Sequence, residues 1–175
     1  MAFGRQVLSL PQSDTGASAD WTEPLRKRIW LTLQRVAMVA EATRREFLLA
    51  PILFDVSVAV DAELHSEYAV NVSPQLRGRL DFYLEKQSTL LVVEAKNADM
   101  ARGFTQLAAE LTALDAFAEP SIPMLYGAVS VGDVWRFGIL DRGAKQVTQD
   151  IHQFTLPDDT GDLLAVLTGI LLDPQ

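Results

Sequence analysis

The sequence predicts an α/β protein whose mixed β-sheet is flanked by helices on both faces. Three observations carry this. Helix-like and strand-like segments follow one another in the order helix, strands, helix, strands, helix. The run TLLVVEAK is apolar almost without interruption, the pattern of a strand covered on both sides. It is followed by a helical segment and a further strand-like run, MLYGAVSV, as expected of a right-handed crossover inside a sheet with helices on its faces.

In chain order, residues 1–20 are small and polar, with Pro11, Gly16 and several Ser and Asp, and a flexible amino-terminal segment is expected there. Residues 21–175 are long enough to bury a core and are expected to form one domain. From Thr22 a helix is expected, with Pro24 in its first turn and Leu25, Ile29, Leu33, Val36 and Ala40 along one stripe. Arg26, Lys27, Arg28 and Arg35 lie off that stripe. A second helical piece, TRREFLLA, is expected to stop at Pro51; it either continues the first or follows a break at Thr43. The β-branched residues between Val56 and Val72 predict one or two strands. RLDFYLE alternates cleanly, with Leu80, Phe82 and Leu84 on one side and Arg79, Asp81, Tyr83 and Glu85 on the other. From Ala101 to Phe117, helical spacing puts Phe104, Leu107, Ala108, Leu111 and Leu114 on one face. MLYGAVSV, a Gly-Asp turn signal, VWRFGILD and a strand through Val147 come next. Asp158, Asp159 and Thr160 precede a closing apolar helix, LLAVLTGILL.

Composition narrows the function classes. The absence of cysteine excludes disulfide and thiolate sites and agrees with a reducing cytoplasm. The amino terminus lacks the basic start and apolar stretch of a signal peptide, and no run approaches the length of a spanning helix. A soluble cytoplasmic protein is the expectation. The formal net charge of −8 is uneven: Lys and Arg number 12 against 13 acids through Thr105, and 3 against 10 beyond it. A nucleic-acid binder usually shows a basic footprint, so any such role must rest on a local patch.

The stretch LRGRLDFYLEKQSTLLVVEAKN raises the chemistry. If KQST, Lys86 to Thr89, is a four-residue hairpin loop, pairing Glu85 with Leu90 sets Asp81 opposite Glu94. Glu94 and Lys96 share a face by alternation, and Asp81 joins them in that register; a slip of one residue would turn it away. Two carboxylates this close repel unless a cation neutralises them. A hard divalent ion such as Mg²⁺ takes one or two carboxylates and keeps several waters. It would polarise a phosphoryl oxygen, and Lys96 would stabilise the charge developing on the phosphate. Glu-Ala-Lys alone is a common triplet whose plain reading is a solvated ion pair. Its place at the end of a buried-type strand, with Asp81 on the strand before and a helix after, favours a site.

Asp81, the hairpin, Glu94-Ala95-Lys96 and a following helix with Gln106 resemble the PD-(D/E)XK nuclease superfamily, the restriction-endonuclease-like fold. The resemblance spans about Thr22 to Ser130 and is strongest to nuclease domains of type I restriction subunits. It implies an α-β-β-β-α-β core, here with extra C-terminal strands and helix. It also implies Mg²⁺ dependence, with Mn²⁺ as a substitute, and cleavage of phosphodiester bonds, with DNA the expected partner, in defence or repair. By that resemblance Asp81 and Glu94 are the metal-binding acids, Lys96 the motif lysine, and Gln106 a catalytic-site glutamine. Leu80 stands where many members have proline. Glu46 matches the glutamate that many members place near the metal from the first helix. Thr43-Arg44-Arg45-Glu46 also reads as a capping box, T-x-x-E, and both readings stand. Glu41 is a weaker substitute. Glu110 occupies a position where relatives carry tyrosine, and a solvated or ion-paired role is expected for it.

Other residues are expected to carry less. His65 and His152 lack ligand spacing and read as strand or surface residues. Arg77, Arg79 and Arg102 flank the proposed site and either contact phosphate or are plain surface arginines. Trp135 and Phe137 are expected to pack rather than stack on bases. Gly78 would permit a bulge before Asp81. Besides a Mg²⁺-dependent nuclease, two readings remain: a non-cutting relative acting as a binding or regulatory subunit, alone or as a homodimer, and a structural α/β protein with a solvated polar face.

Overall fold

Strand β4 (Thr89–Ala95) shows why the apolar run is apolar: it lies inside the sheet, antiparallel to β3 (Leu76–Lys86) and parallel to β5 (Met124–Ser130), with Leu91 and Val93 fully buried. The computed structural model describes residues 1–73, 76–87, 89–95, 99–116 and 118–173; for Ala19, residues 70–73 and 76–79, Leu90, Val92, Glu94 and Ala95 it describes the backbone alone. Among the described residues, eight strands form one mixed sheet in the order β1-β7-β6-β5-β4-β3-β2, with β8 (Phe154–Thr155) pairing with β6 off this path. The remaining strands are β1 (Ala2–Gln6), β2 (Glu63–Ser73), β6 (Val134–Asp141) and β7 (Gln146–Asp150).

Helices cover both faces. Helix α5 (Met100–Asp115) links the parallel strands β4 and β5. Its Phe104, Leu107, Ala108, Leu111 and Leu114, the stripe expected from spacing, form a core with Leu80, Tyr83, Leu125, Val129, Leu140 and Val147. On the opposite face a larger core gathers Leu25 and Ile29 of α2 (Ala19–Arg35) and Ile52, Leu53 and Val56 of α4 (Ala50–Val60). It also takes in Leu163, Leu167 and Ile170 of α6 (Thr160–Leu172), all over Phe82, Leu84, Val93, Ala128, Trp135 and Phe137. Helix α6 is apolar on every side because it is buried on every side from Leu163 to Leu171. Among the described residues, no helix is long and apolar enough to cross a membrane.

Several local expectations are corrected. Residues 1–20 hold two elements rather than a flexible tail: β1 pairs in parallel with β7, and α1 (Asp14–Ala17) packs on α6. Helix α2 ends at Arg35, and the break falls at residues 36–40, not at Thr43. Helix α3 (Glu41–Arg44) then runs without interruption into a π-helical turn (Arg45–Leu49) and α4, so the helix passes through Pro51. A proline ring clashes with the carbonyl four residues back, and the wider π turn just before it relieves that clash. Thr43 therefore sits inside a helix, and the T-x-x-E capping box does not form. Val56 to Val60 are helical, not strand; burial outweighs the β-branched preference. The helix stops at Asp61, whose left-handed φ of 54° terminates it. The β3–β4 loop is shorter than KQST, since Lys86 pairs with Thr89, and Gln87 has the positive φ (52°) that tight hairpins demand.

Candidate functional site

The candidate site begins with an irregularity in the β2–β3 ladder. Ser66 pairs with Phe82 and Tyr68 with Leu80; Glu67 and Asp81, between them, are outside the paired positions, and Glu67 has a left-handed φ of 52°. The strands turn over at this point. Strict alternation would keep Leu80 with Phe82 and Leu84, yet Leu80 joins Tyr83 in the core under α5 while Phe82 and Leu84 face the other way. Correspondingly, the Tyr68 ring reaches the His65 and Tyr83 rings, at 5.8 and 5.5 Å between centroids. Asp81 occupies the turning point. The bulge expected at Gly78 falls elsewhere: Gly78 pairs regularly with Val70, and the register shift lies between Asn71 and Ser73.

Arg45, in the π turn, answers this acidic pair. Its Nη1 lies 3.4 Å from Asp81 Oδ1 and its Nη2 lies 3.5 Å from Glu67 Oε1. The guanidinium carbon sits 5.5 Å from the centre of the Phe82 ring, a cation–π arrangement that fixes the side chain in place. Asp81 is mostly buried, its side chain 15% exposed, so the ion pair is less screened than one on the open surface. Beside it opens a cavity of about 340 Å³ lined by Arg45, Glu46, Ser66, Glu67 and Phe82 among others. Glu46 lines the same cavity as Arg45, the partner of Asp81. Neither Arg45 nor Glu67 stands out in the sequence; the only signal was their position, one residue before Glu46 and within a strand-like alternation.

The backbone of Glu94 lies in β4, paired with Val129 of β5. Glu85 pairs with Leu90, as the hairpin register requires, and the ladder runs on to Phe82 and Val93. The described ladder ends with Phe82 and Val93. Asp81 and Glu94 are the next residues on the two strands but are not a pair of it, and the turnover at Asp81 breaks the alternation that would set both on one face. The Glu94 side chain and the whole of Lys96 lie outside the described residues, as do the side chains of Arg77 and Arg79. Gln106 is exposed on α5, on the other face of the sheet from the π turn, and its Nε2 donates to Glu110 Oε1 at 3.0 Å. Glu110 is buried, which removes the solvated one of the two roles expected for it. Glu41 opens α3 and is not among the cavity-lining residues.

Arg102 lies in the first turn of α5, where its backbone N–H donates to the capping carboxylate of Asp99. His65 lies against Tyr68 and Tyr83, with Nε2 3.5 Å from Glu63 Oε1, and His152 meets Phe154 edge-on. The Tyr83 hydroxyl donates to Glu85, and burial together with that bond holds the phenol well above its usual pKa. Trp135 and Phe137 are fully buried.

Chemically, carboxylate oxygens suit a hard divalent cation. Among the described residues, however, no three His, Asp or Glu side chains gather as a metal group, and the positive charge next to Asp81 is supplied by Arg45. Comparison with protein-family models, with curated proteins and with solved structures finds no match.

Proposed function

We propose that the chain is a metal-dependent nuclease that hydrolyses phosphodiester bonds, with DNA as the substrate. The observation that carries the reading is the β3–β4 ladder. Glu85 pairs with Leu90 and Phe82 with Val93, so Asp81 and Glu94 are the next residues on two adjacent strands, at the end of an interior strand that enters a strand–helix–strand crossover. Glu46, on the cavity beside Asp81, adds a third carboxylate of the type the chemistry needs. In this reading Asp81 and Glu94, with Glu46, hold the ion. Lys96 stabilises negative charge on the phosphate. A bound Mg²⁺ would supply charge stabilisation and a more acidic water. Arg45 has to release Asp81 for the ion to enter.

The test is cleavage of labelled single- and double-stranded DNA, and of RNA, in Mg²⁺ or Mn²⁺. Cutting should require the ion and fall about 10²- to 10³-fold in Lys96→Ala, the usual loss when one charge-stabilising group is removed. It should fall at least as far in Asp81→Asn. Absence of ion-dependent cutting on all three substrates, or cutting that survives both substitutions, would sink the proposal.

A second reading, a non-cutting relative that binds or regulates, is favoured by one observation: Arg45 already pairs with Asp81 and Glu67. On that reading Mn²⁺ titrated into the wild-type chain, followed by electron paramagnetic resonance, stays free. On the nuclease reading it is taken up, and Asp81→Asn prevents the uptake.

A further inference from the structure

The two edges of the sheet differ in a way that the proposed chemistry does not use. Strand β2 is a guarded edge. It carries Glu63 and Glu67, has a left-handed residue in its middle and shifts register between Asn71 and Ser73, all devices that discourage another strand from adding on. Strand β1, AFGRQ, has neither the acids nor the irregularities; its one charge is Arg5. It is regular over five consecutive pairs with β7, from Ala2–Gln146 to Gln6–Asp150, and holds no proline, lysine or acid. Four of its five residues are exposed, with Phe3 at 70% and the adjoining Val7 at 69%. Ile151, just past the end of β7, adds a further exposed apolar side chain.

The hydrogen bonds fix which backbone groups of β1 face outward. The Ala2 N–H donates to the Lys145 carbonyl at 3.1 Å, and the Gln6 carbonyl accepts from the Ile151 N–H at 3.0 Å. In a parallel ladder alternate residues bond to the same neighbour, so Ala2, Gly4 and Gln6 turn their groups to β7. Phe3 and Arg5 turn theirs away. Among the described residues, β1 has no other strand partner.

We propose that β1 pairs antiparallel with β1 of a second copy of this chain, joining two sheets about a two-fold axis at Gly4. The register follows from two constraints. Residues with outward groups must oppose one another, which allows Phe3 with Phe3, Phe3 with Arg5, or Arg5 with Arg5 across the axis. Like charges directly opposite are unfavourable, which rejects the last. Of the other two, Phe3 with Arg5 pairs all five residues of β1 and sets each guanidinium beside an aromatic ring. It is self-complementary, so the contact closes as a dimer and does not propagate. The net charge of −8 on each copy opposes the approach, and β1 is an edge that carries a positive charge and no negative one.

Sedimentation of the full chain over a concentration series tests this. The wild type should reach twice its 19.3 kDa, more readily as salt screens the net repulsion. Arg5→Pro removes an outward N–H and leaves the β7 ladder donors untouched, so it should abolish the dimer while near-ultraviolet circular dichroism stays native. The axis itself is read by Gly4→Cys, the one thiol in a chain that has no cysteine. Non-hydrogen-bonded antiparallel partners bring their Cα atoms to about 4.5 Å, within disulfide range, so mild oxidation should cross-link it. A wild type that remains monomeric, a dimer that survives Arg5→Pro, or cross-linking of Phe3→Cys in preference to Gly4→Cys would each overturn the proposal. None of these readouts depends on nuclease activity.

Discussion

Arg142 ties the carboxyl end of α5 to the connection that follows it. Its Nε donates to Asp115 Oδ1 at 2.6 Å, its Nη1 to the carbonyls of Glu119 and Ile122, and its Nη2 to those of Asp115 and Ala118. The Asp115 carbonyl ends the last helical turn, where helical donors run out, and the other three lie in the connection to β5. Arg142→Ala should therefore cost about 3 kcal/mol, read as a lower urea midpoint at unchanged slope. Arg142→Lys should rescue little, because an ammonium cannot reach the carbonyls as a planar fork. Asp115 is held below the usual carboxylate range, first by its hydrogen bond to Arg142 and then by Lys145. A depressed folded pKa means that this stabilisation is complete above the unfolded value near 3.9 and is lost as pH falls through the lower folded value. Asp115→Asn should thus weaken the fold at neutral pH and narrow its gap from wild type in acid, measured by urea melts across the acid range. At this scale, Asp81 and Glu94 could be singled out from the hairpin spacing, and Glu46 from the resemblance alone. Arg45 and Glu67 could not, since a π turn and a left-handed residue bring them in, and neither leaves a periodic trace.

Between elements, two glycines set how closely the amino-terminal segment lies on α6. A Cβ on Gly16 would fall 2.2 Å from the Leu164 carbonyl oxygen, and one on Gly169 would fall 2.5 Å from Gln12 Cα and the Pro11 carbonyl oxygen. Both neighbours are backbone and cannot swing aside. Gly16→Ala and Gly169→Ala should each cost about 3 kcal/mol by overpacking. Gly161, in the first turn of α6, faces nothing within 4 Å, so Gly161→Ala should instead stabilise by about 0.5–1 kcal/mol. Equal effects at all three positions, in chemical denaturation, would contradict the packing argument. The α5 stripe was legible because one face of a surface helix is buried and the other is not. Residues 56 to 60 misled because α4 is apolar in composition, with neither alternation nor a clear stripe to separate strand from helix.

At the scale of the molecule, the alternation of elements and the apolar β4 run foretold a mixed sheet with helices on both faces, and the first strand escaped notice. AFGRQ is too short and too mixed to be read as a strand, and its pairing is decided by β7, far along the chain. Removing residues 1–6 should leave a single unfolding transition at a lower urea midpoint, with Mn²⁺ uptake unaltered, because β1 and the β3–β4 hairpin are separated by β7, β6 and β5. The parallel match of Phe3 with Val147 also has a meaning in time. A ribosome makes β1 long before β7, so the growing chain carries an unmatched ribbon until the β6–β7 hairpin emerges.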